Sequence, residues 1–334
     1  MYELLGISLV LASLLTINAL VSLAAAASWR FVEKPLQTRS ARTRAEVLFA
    51  MRVAPPVLAF ISVALFLVPS YVVHEPYASG EVVSKKLAIL ASLSAIGVGF
   101  ALWRALRSSL ATRSLRREWL SNAVPIELTG IGIPTFRISG SFPIIAVVGI
   151  VRARLFIAAQ VLEKLNEEEL TAAIAHECGH LSAHDNLKRA LLRACRDLLM
   201  IVPCGRSLDR AWAEAAECAA DEQAAQQNAE TALNLASALV KIARMVPVGA
   251  RAAMPMAAFL VGFEENRGVK ARVCRLLEIA SDGCRHRVPN RTIALVLPIT
   301  SLGSLLVLAV VVVSSPRVLI SVHTMIEHAV KLLS

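Results

Sequence analysis

Two histidines, His176 and His180, stand four residues apart in TAAIAHECGHLSAHDNL (171–187), with Glu177 directly after the first. On a helix this spacing puts both imidazoles on one face, one turn apart, where they can reach a single ion, and Glu177 sits beside them at the rim. A zinc ion held this way lowers the pKa of a bound water toward about 7, and a neighbouring carboxylate can take its proton as the water attacks a polarised carbonyl. The spacing is that of a metalloprotease. Gly179 costs about 1 kcal/mol in a helix interior, and its lack of a side chain lets another backbone or a substrate come close.

Five residues of this pattern arise by chance on many polar helix faces, so the third ligand matters. Downstream, AWAEAAECAADEQAA is helical by composition and places Glu217 and Asp221 four apart on one face. Glu217 can complete a two-histidine, one-glutamate site with a fourth position open. Asp221 can accept a hydrogen bond from the other ring nitrogen of a ligand histidine and so fix its tautomer. Glu214 competes with Glu217 but has no Asp four residues later, and the plain alternative is a solvated acidic face. His184 continues the four-residue series, yet at 1.5 Å rise per residue it lies about 12 Å along from His176. It reads as a polar group beside the site or in touch with substrate.

The motif needs elements to hold it. Asn166 can cap a helix start in NEEEL, with Glu169 at the capping-box position and Glu167 and Glu168 favoured near the positive end of the helix dipole, so a long helix runs from about 167 through the motif. Before it, PTFRISGSFPIIAVVGIVRARLFIAA (134–159) alternates short apolar runs with turn residues, which predicts two or three strands and a hairpin turning near Gly149–Arg152. An edge strand here is a candidate for pairing with a substrate backbone, with Val148 as a donor position. The stretch 190–203, ALLRACRDLLMIVP, is apolar enough to lie against a membrane and too short to span one. No internal repeat or low-complexity tract is evident.

The chain around these elements is hydrophobic. Of its 334 residues 56% are hydrophobic and 18% charged, and the mean hydropathy is +0.61. Four segments of roughly twenty or more apolar residues, 4–28, 53–73, 87–107 and 292–315, meet the length rule for crossing a bilayer. Four buried helices of a soluble protein are the alternative. The net charge of +10 does not require nucleic acid, because Lys and Arg gather beside the spans as they do in cytoplasmic loops. Arg30, Lys34, Arg39, Arg42 and Arg44 follow the first span, Arg113, Arg116 and Arg117 the third, and Arg285, Arg287 and Arg291 precede the fourth. The first segment has Glu3 and no basic start, so it reads as an uncleaved helix with its N-terminus outside. Residues 29–52 and 108–291 are then cytoplasmic. Cys178, Cys195, Cys204, Cys218, Cys274 and Cys284 all fall in the large cytoplasmic segment, in no C-x-x-C pair, and read as small packing residues kept reduced.

The sequence GIVRARLFIA, then HECGHLSAHDNL, then ECAAD, with the protease between a third and a fourth span, resembles the BlaR/MecR-type sensor-transducer peptidases among the gluzincins. The resemblance is strong over 143–221 and rests on hydropathy elsewhere. It implies one zinc ion held by His176, His180 and Glu217, Glu177 as catalytic base, and Asp221 as supporting carboxylate. GVKARVCRLLEIA (268–280) looks like the element that follows the third ligand in these peptidases, making Arg272 a possible support, although an amphipathic helix explains it as well. Two features depart from the pattern. ECAAD has Ala220 where the BlaR type shows a cysteine, which is closer to the HtpX and CAAX-protease branch, and Ala183–His184 replaces a basic pair. The chain ends at Ser334, so β-lactam sensing through an external penicillin-binding domain is not expected.

The implied fold is a mostly α membrane protein of four transmembrane helices, with an α+β gluzincin-type zinc protease domain inserted between helices 3 and 4. Residues 1–107 form helices 1–3, 108–291 the cytoplasmic protease, 292–315 helix 4 and 316–334 a short external tail. The implied setting is the bacterial inner membrane. The implied partners are the lipid bilayer and a protein substrate such as a transcriptional repressor, without direct nucleic-acid binding. Quality control of membrane proteins and a non-catalytic zinc-binding scaffold are the alternatives.

Overall fold

The computed structural model describes residues 2–75, 83–128, 132–140, 142–199, 205–226, 228–246, 266–281 and 315–333. Three helices among these residues are long and apolar enough to cross a membrane. They are α1 (Tyr2–Gln37), a composite of α2 (Ala41–Ser62), a π turn (Val63–Leu67) and α3 (Val68–His74), and α4 (Lys85–Ser121). The π turn ends two residues before Pro69, whose ring would clash with the carbonyl four residues back in a regular helix, and the wider turn absorbs that clash. The fourth proposed span, 292–315, falls outside the described residues except for Ser315.

With 36 and 37 residues, α1 and α4 reach about 54 Å at 1.5 Å per residue, well beyond a hydrocarbon core of about 30 Å. Their surplus turns, and the start of α2, pack against the sheet and helices that follow.

A four-stranded sheet follows α4, in the order β1 (Val124–Ile126), β2 (Thr135–Ile138), β4 (Arg154–Ala158), β3 (Ile145–Val148). The β3–β4 hairpin turns at 149–153 as the sequence predicts, and Gly149 makes it possible. Its φ is +113°, and a Cβ there would lie 2.8 Å from the Arg152 carbonyl oxygen. β2 pairs with β4 in parallel. β1, three residues containing Pro125, is a strand the apolar pattern did not reveal. Alternation gives the sheet two buried faces. Ile145, Val147, Leu155 and Ile157 join the main core with the helices that follow. Ile144, Ala146, Val148 and Phe156 pack on Trp119 and Leu120 at the end of α4.

The helices after the sheet are α5 (Ala159–Lys164), α6 (Glu167–Ser182), α7 (Asp185–Leu198), α8 (Arg206–Ala225), α9 (Ala229–Met245) and α10 (Asn266–Ser281). Asn166 and Glu169 form the predicted capping box at the head of α6. Glu169 also accepts from Ser237 at 2.6 Å and Lys241 at 2.7 Å, tying α6 to α9.

α7 lies against the membrane helices. A Cβ on Gly97, in the first half of α4, would meet the Leu198 carbonyl oxygen at 2.9 Å, and Arg104 lies 3.3 Å from Asp197. Buried Arg52 of α2 donates to Asp209 of α8 at 3.0 Å, and Lys188 pairs with Glu46. The Ala41 N–H, at the head of α2, donates to Glu222 at 3.1 Å. The ends of α1 and α4 that carry the arginine clusters therefore lie at the end of the bundle that packs against α7 and α8.

At the other end sits α11 (Pro316–Leu333), so the stretch expected as a short tail is a helix docked on the bundle. Ile326 and Val330 pack on Leu5, Leu9, Tyr71 and Leu87, Ser70 Oγ donates to the Leu319 carbonyl at 2.8 Å, and the His74 and His323 rings stack.

Candidate metal centre

α6 and α8 cross where neither carries bulk. A Cβ on Gly179 would lie 3.1 Å from the Ala220 Cα and 3.3 Å from its Cβ, so the partner this glycine admits is the α8 backbone. That approach brings His176 and His180 of α6 to Glu217 of α8. Glu214, the competing ligand, is exposed.

The ligand atoms of His176, His180 and Glu217 all lie within 4.8 Å of one another, and the two rings stand at 89°. His180 Nε2 is 3.5 Å from Glu217 Oε1, and His176 Nε2 is 3.6 Å from Oε2. These separations are long for hydrogen bonds. They run to different oxygens of Glu217 and bring its carboxylate within reach of both imidazoles, the two-histidine, one-carboxylate donor set that suits zinc. His180 Nε2 is buried without a hydrogen-bond partner, and such a group is costly unless something binds it.

Each histidine is backed by a carboxylate. Asp221 places Oδ1 2.9 Å from His176 Nδ1. Asp185 Oδ2 lies 2.7 Å from His180 Nδ1, both side chains being buried. The sequence reading did not assign Asp185, because it carried the helix straight through 187. In the structure α6 stops at Ser182 and His184 adopts a left-handed conformation, φ 57° and ψ 35°. His184 is therefore exposed at a turn and leaves the helical series. Asp and Asn at 185–186, both residues that favour helix starts, were the available signal for a break there.

Arg272 of α10 belongs to the centre. Its Nε and Nη2 donate to the two Asp221 oxygens at 2.7 and 2.6 Å, Nη1 lies 3.1 Å from Glu217 Oε2, and Nη2 comes within 3.5 Å of His176 Nε2. Arg189 of α7, not singled out in the sequence, donates to Glu217 Oε1 at 3.0 Å. Glu177 is fully buried, and Oε2 accepts from the Val147 N–H of β3 at 3.2 Å while Oε1 has no hydrogen-bond partner.

The electrostatics ask for two more positive charges. Among the described residues four carboxylates (Glu177, Asp185, Glu217, Asp221) face two guanidiniums (Arg189, Arg272), so with all four ionised and the imidazoles neutral a divalent cation balances the charge. Without an ion, protons take that place. Burial works against a charged His180, but Glu217 and Asp185 outweigh it and raise the imidazole to about 10. Burial raises the Glu177 carboxyl despite both histidines. Asp221 is held down to about 2, since Arg272 and His176 outweigh its burial.

β3 is the edge strand beside this cluster. The bond from the Ala158 N–H to the Ile144 carbonyl sets the ladder, so Ala146 and Val148 bond inward to β4 while Val147 turns outward. Val148 is thus not an outward donor, and proline there would break the sheet itself. The Val147 carbonyl accepts from Asn186 Nδ2 at 3.0 Å. A substrate strand pairing at Val147 has to displace Asn186 and Glu177.

The model of the family described as BlaR1 peptidase M56 matches residues 87–273, more than half of the chain. The chain belongs to this family. Peptidases of the M56 family are metallopeptidases associated with membranes, which accords with the three apolar helices and with the His-His-Glu cluster, and the match spans every residue of that cluster. A comparison with curated proteins gives no match.

Proposed function

We propose that this M56 peptidase is an integral-membrane zinc endopeptidase whose active site faces the cytoplasm. The observation that carries this reading is the convergence of His176, His180 and Glu217 beside a fully buried Glu177 with one oxygen unengaged. When bound, zinc supplies a Lewis acid that polarises the scissile carbonyl and eases deprotonation of water. Glu177 Oε1 takes the proton as the water oxygen bonds to the carbonyl carbon, and returns it to the amine nitrogen as the C–N bond breaks. Val147 steadies Glu177 through Oε2, and Asp221 and Asp185 aim the two imidazoles.

The cytoplasmic orientation is supported by the basic clusters at 30–44 and 113–117, which flank the spans at the protease end. The substrate in this reading is a cytosolic repressor or a membrane-proximal protein, cleaved as a regulatory step. Ala220 in ECAAD favours a second reading, HtpX-like quality control of membrane proteins.

The test is Glu177→Gln, which keeps shape and ligands but cannot accept the proton. Zinc stays near one per chain while proteolysis falls by about 10²-fold or more. A variant that cleaves as well as the parent would overturn the mechanism, and a protein that binds zinc but cleaves nothing would point to a scaffold.

A further inference from the structure

Two guanidiniums flank the Glu217 carboxylate, and they differ in how far they are committed. Arg272 is 7% exposed and engages both Asp221 oxygens and Glu217. Withdrawing it would leave buried Asp221 and half-buried Glu217 short of a partner, a heavily penalised change. Arg189 has a side chain 20% exposed, makes one ion pair among the described residues, to Glu217 Oε1, and lays its guanidinium over the Trp212 ring at 5.9 Å.

Its position on α7 is telling. Arg189 follows Asp185 by four residues and Asn186 by three, so the three side chains share one face of the first turns. Asp185 aims His180 and Asn186 holds the outward edge of β3 at Val147 and Gly149. Arg189 therefore stands on the wall that joins the metal ligands to the strand edge. A cation held by Glu217 would compete for that carboxylate's charge and leave Arg189 N–H groups able to donate to another acceptor beside the cluster.

We propose that Arg189 stabilises the oxyanion that forms when water adds to the scissile carbonyl, a role that rests on the peptidase reading above. As the water oxygen bonds to carbon, the C=O π pair moves onto oxygen, the water proton passes to Glu177 Oε1, and Arg189 N–H groups donate to the developing O⁻. Collapse returns the pair to C=O and breaks C–N, and the amine takes the proton from Glu177. A pre-aimed cationic donor of this kind is worth about 10²–10³ in rate.

The experiment uses the full chain in detergent micelles, as parent, Arg189→Ala, Arg189→Lys and Arg272→Lys. Three quantities are read: zinc affinity and content, kcat and KM on fluorescent casein, and the affinity of a dipeptide phosphonamidate, whose tetrahedral anion mimics the oxyanion, from the visible spectrum of the Co²⁺-loaded protein. Arg189→Ala is expected to keep one zinc per chain with affinity within about threefold, lose about 10²–10³ in kcat with little change in KM, and weaken phosphonamidate binding in step. Arg189→Lys recovers part of both. Arg272→Lys loses zinc affinity.

Unchanged kcat and phosphonamidate affinity in Arg189→Ala would overturn the proposal. So would a loss that excess zinc repairs, because Arg189 would then act only by holding Glu217. Failure of the peptidase reading looks different: a parent that binds no zinc, or Glu177→Gln as active as the parent, removes both.

Discussion

Replacing Asp185 by alanine removes the acceptor that aims His180. The contact is 2.7 Å long, with the side chains 3% and 5% exposed, so it is a charge-assisted bond shielded from water, a class worth about 1.5–3 kcal/mol. If all of that favoured the metal-bound state, the loss would be about 10- to 150-fold in affinity at about 1.4 kcal/mol per tenfold. Some is common to both states, because the metal-free protein keeps the same bond while Glu217 sits 3.5 Å from the other ring nitrogen. The expected loss in zinc affinity is therefore about 10- to 100-fold, in line with outer-sphere carboxylates generally. Asp185→Asn keeps an accepting oxygen and should lose about tenfold or less. The assay is competition with a chromogenic chelator on the purified full chain, with thermal unfolding of the metal-free protein as control. A folded Asp185→Ala protein that binds zinc within about twofold of the parent would refute the idea that this aspartate orients the ligand.

Glu169→Ala should destabilise the α6–α9 junction by about 1–2 kcal/mol in thermal unfolding, through the lost capping box and the lost bonds to Ser237 and Lys241. Burial works against the Glu169 carboxylate, but Lys241, Ser237 and the Asn166 N–H outweigh it and lower its pKa. The contribution is therefore complete above the ordinary value of 4.5 and disappears as pH falls through the lower folded value, so the parent–variant gap should close on acidification. Arg52→Ala leaves Asp209 short of its partner in a contact 3% and 20% exposed; a loss of about 3 kcal/mol is expected, smaller when Asp209→Asn is added, and equal losses in single and double variants would show that the pair does not carry the effect. Single cysteines at Ser79 and Ser114, in a cysteine-free background, should react with an impermeant reagent in intact cells only at Ser79; labelling at Ser114 would reverse the orientation.

Much of this centre was legible because it obeys local rules. A four-residue spacing on a helix needs no tertiary knowledge, and it identified His176 with His180 and Glu217 with Asp221. The capping box at Asn166 and Glu169 and the turn near Gly149 are equally local. What escaped depends on contacts distant in sequence. β1 is short and contains Pro125, and it is a strand because β2 pairs with it. The outward choice of Val147 over Val148 depends on the register with β4. Arg189 stands 28 residues from Glu217, and nothing in its neighbours marks it as different from Arg193 or Arg196. The docking of α11 likewise depends on apolar partners in α1, α3 and α4.

His184 shows how one backbone conformation reorganises a site. Had α6 continued, positions 185, 186 and 189 would have run on along the helix axis, carrying Asp185 away from His180. A left-handed residue other than glycine costs about 1–2 kcal/mol, and the turn at His184 is followed by contacts that offset it. Within the first turns of α7, Asp185 meets His180, Asn186 meets Val147 and Arg189 meets Glu217, and hydrogen bonds of this kind contribute about 0.5–3 kcal/mol each. The other end of the same helix rests on Gly97 and Arg104 of α4. A shift of α7 along its axis would therefore move the His180 carboxylate, the strand edge and Arg189 together. It would also have to break the Asp197–Arg104 contact, which ties the geometry of the site to the seat of α7 on the third membrane helix.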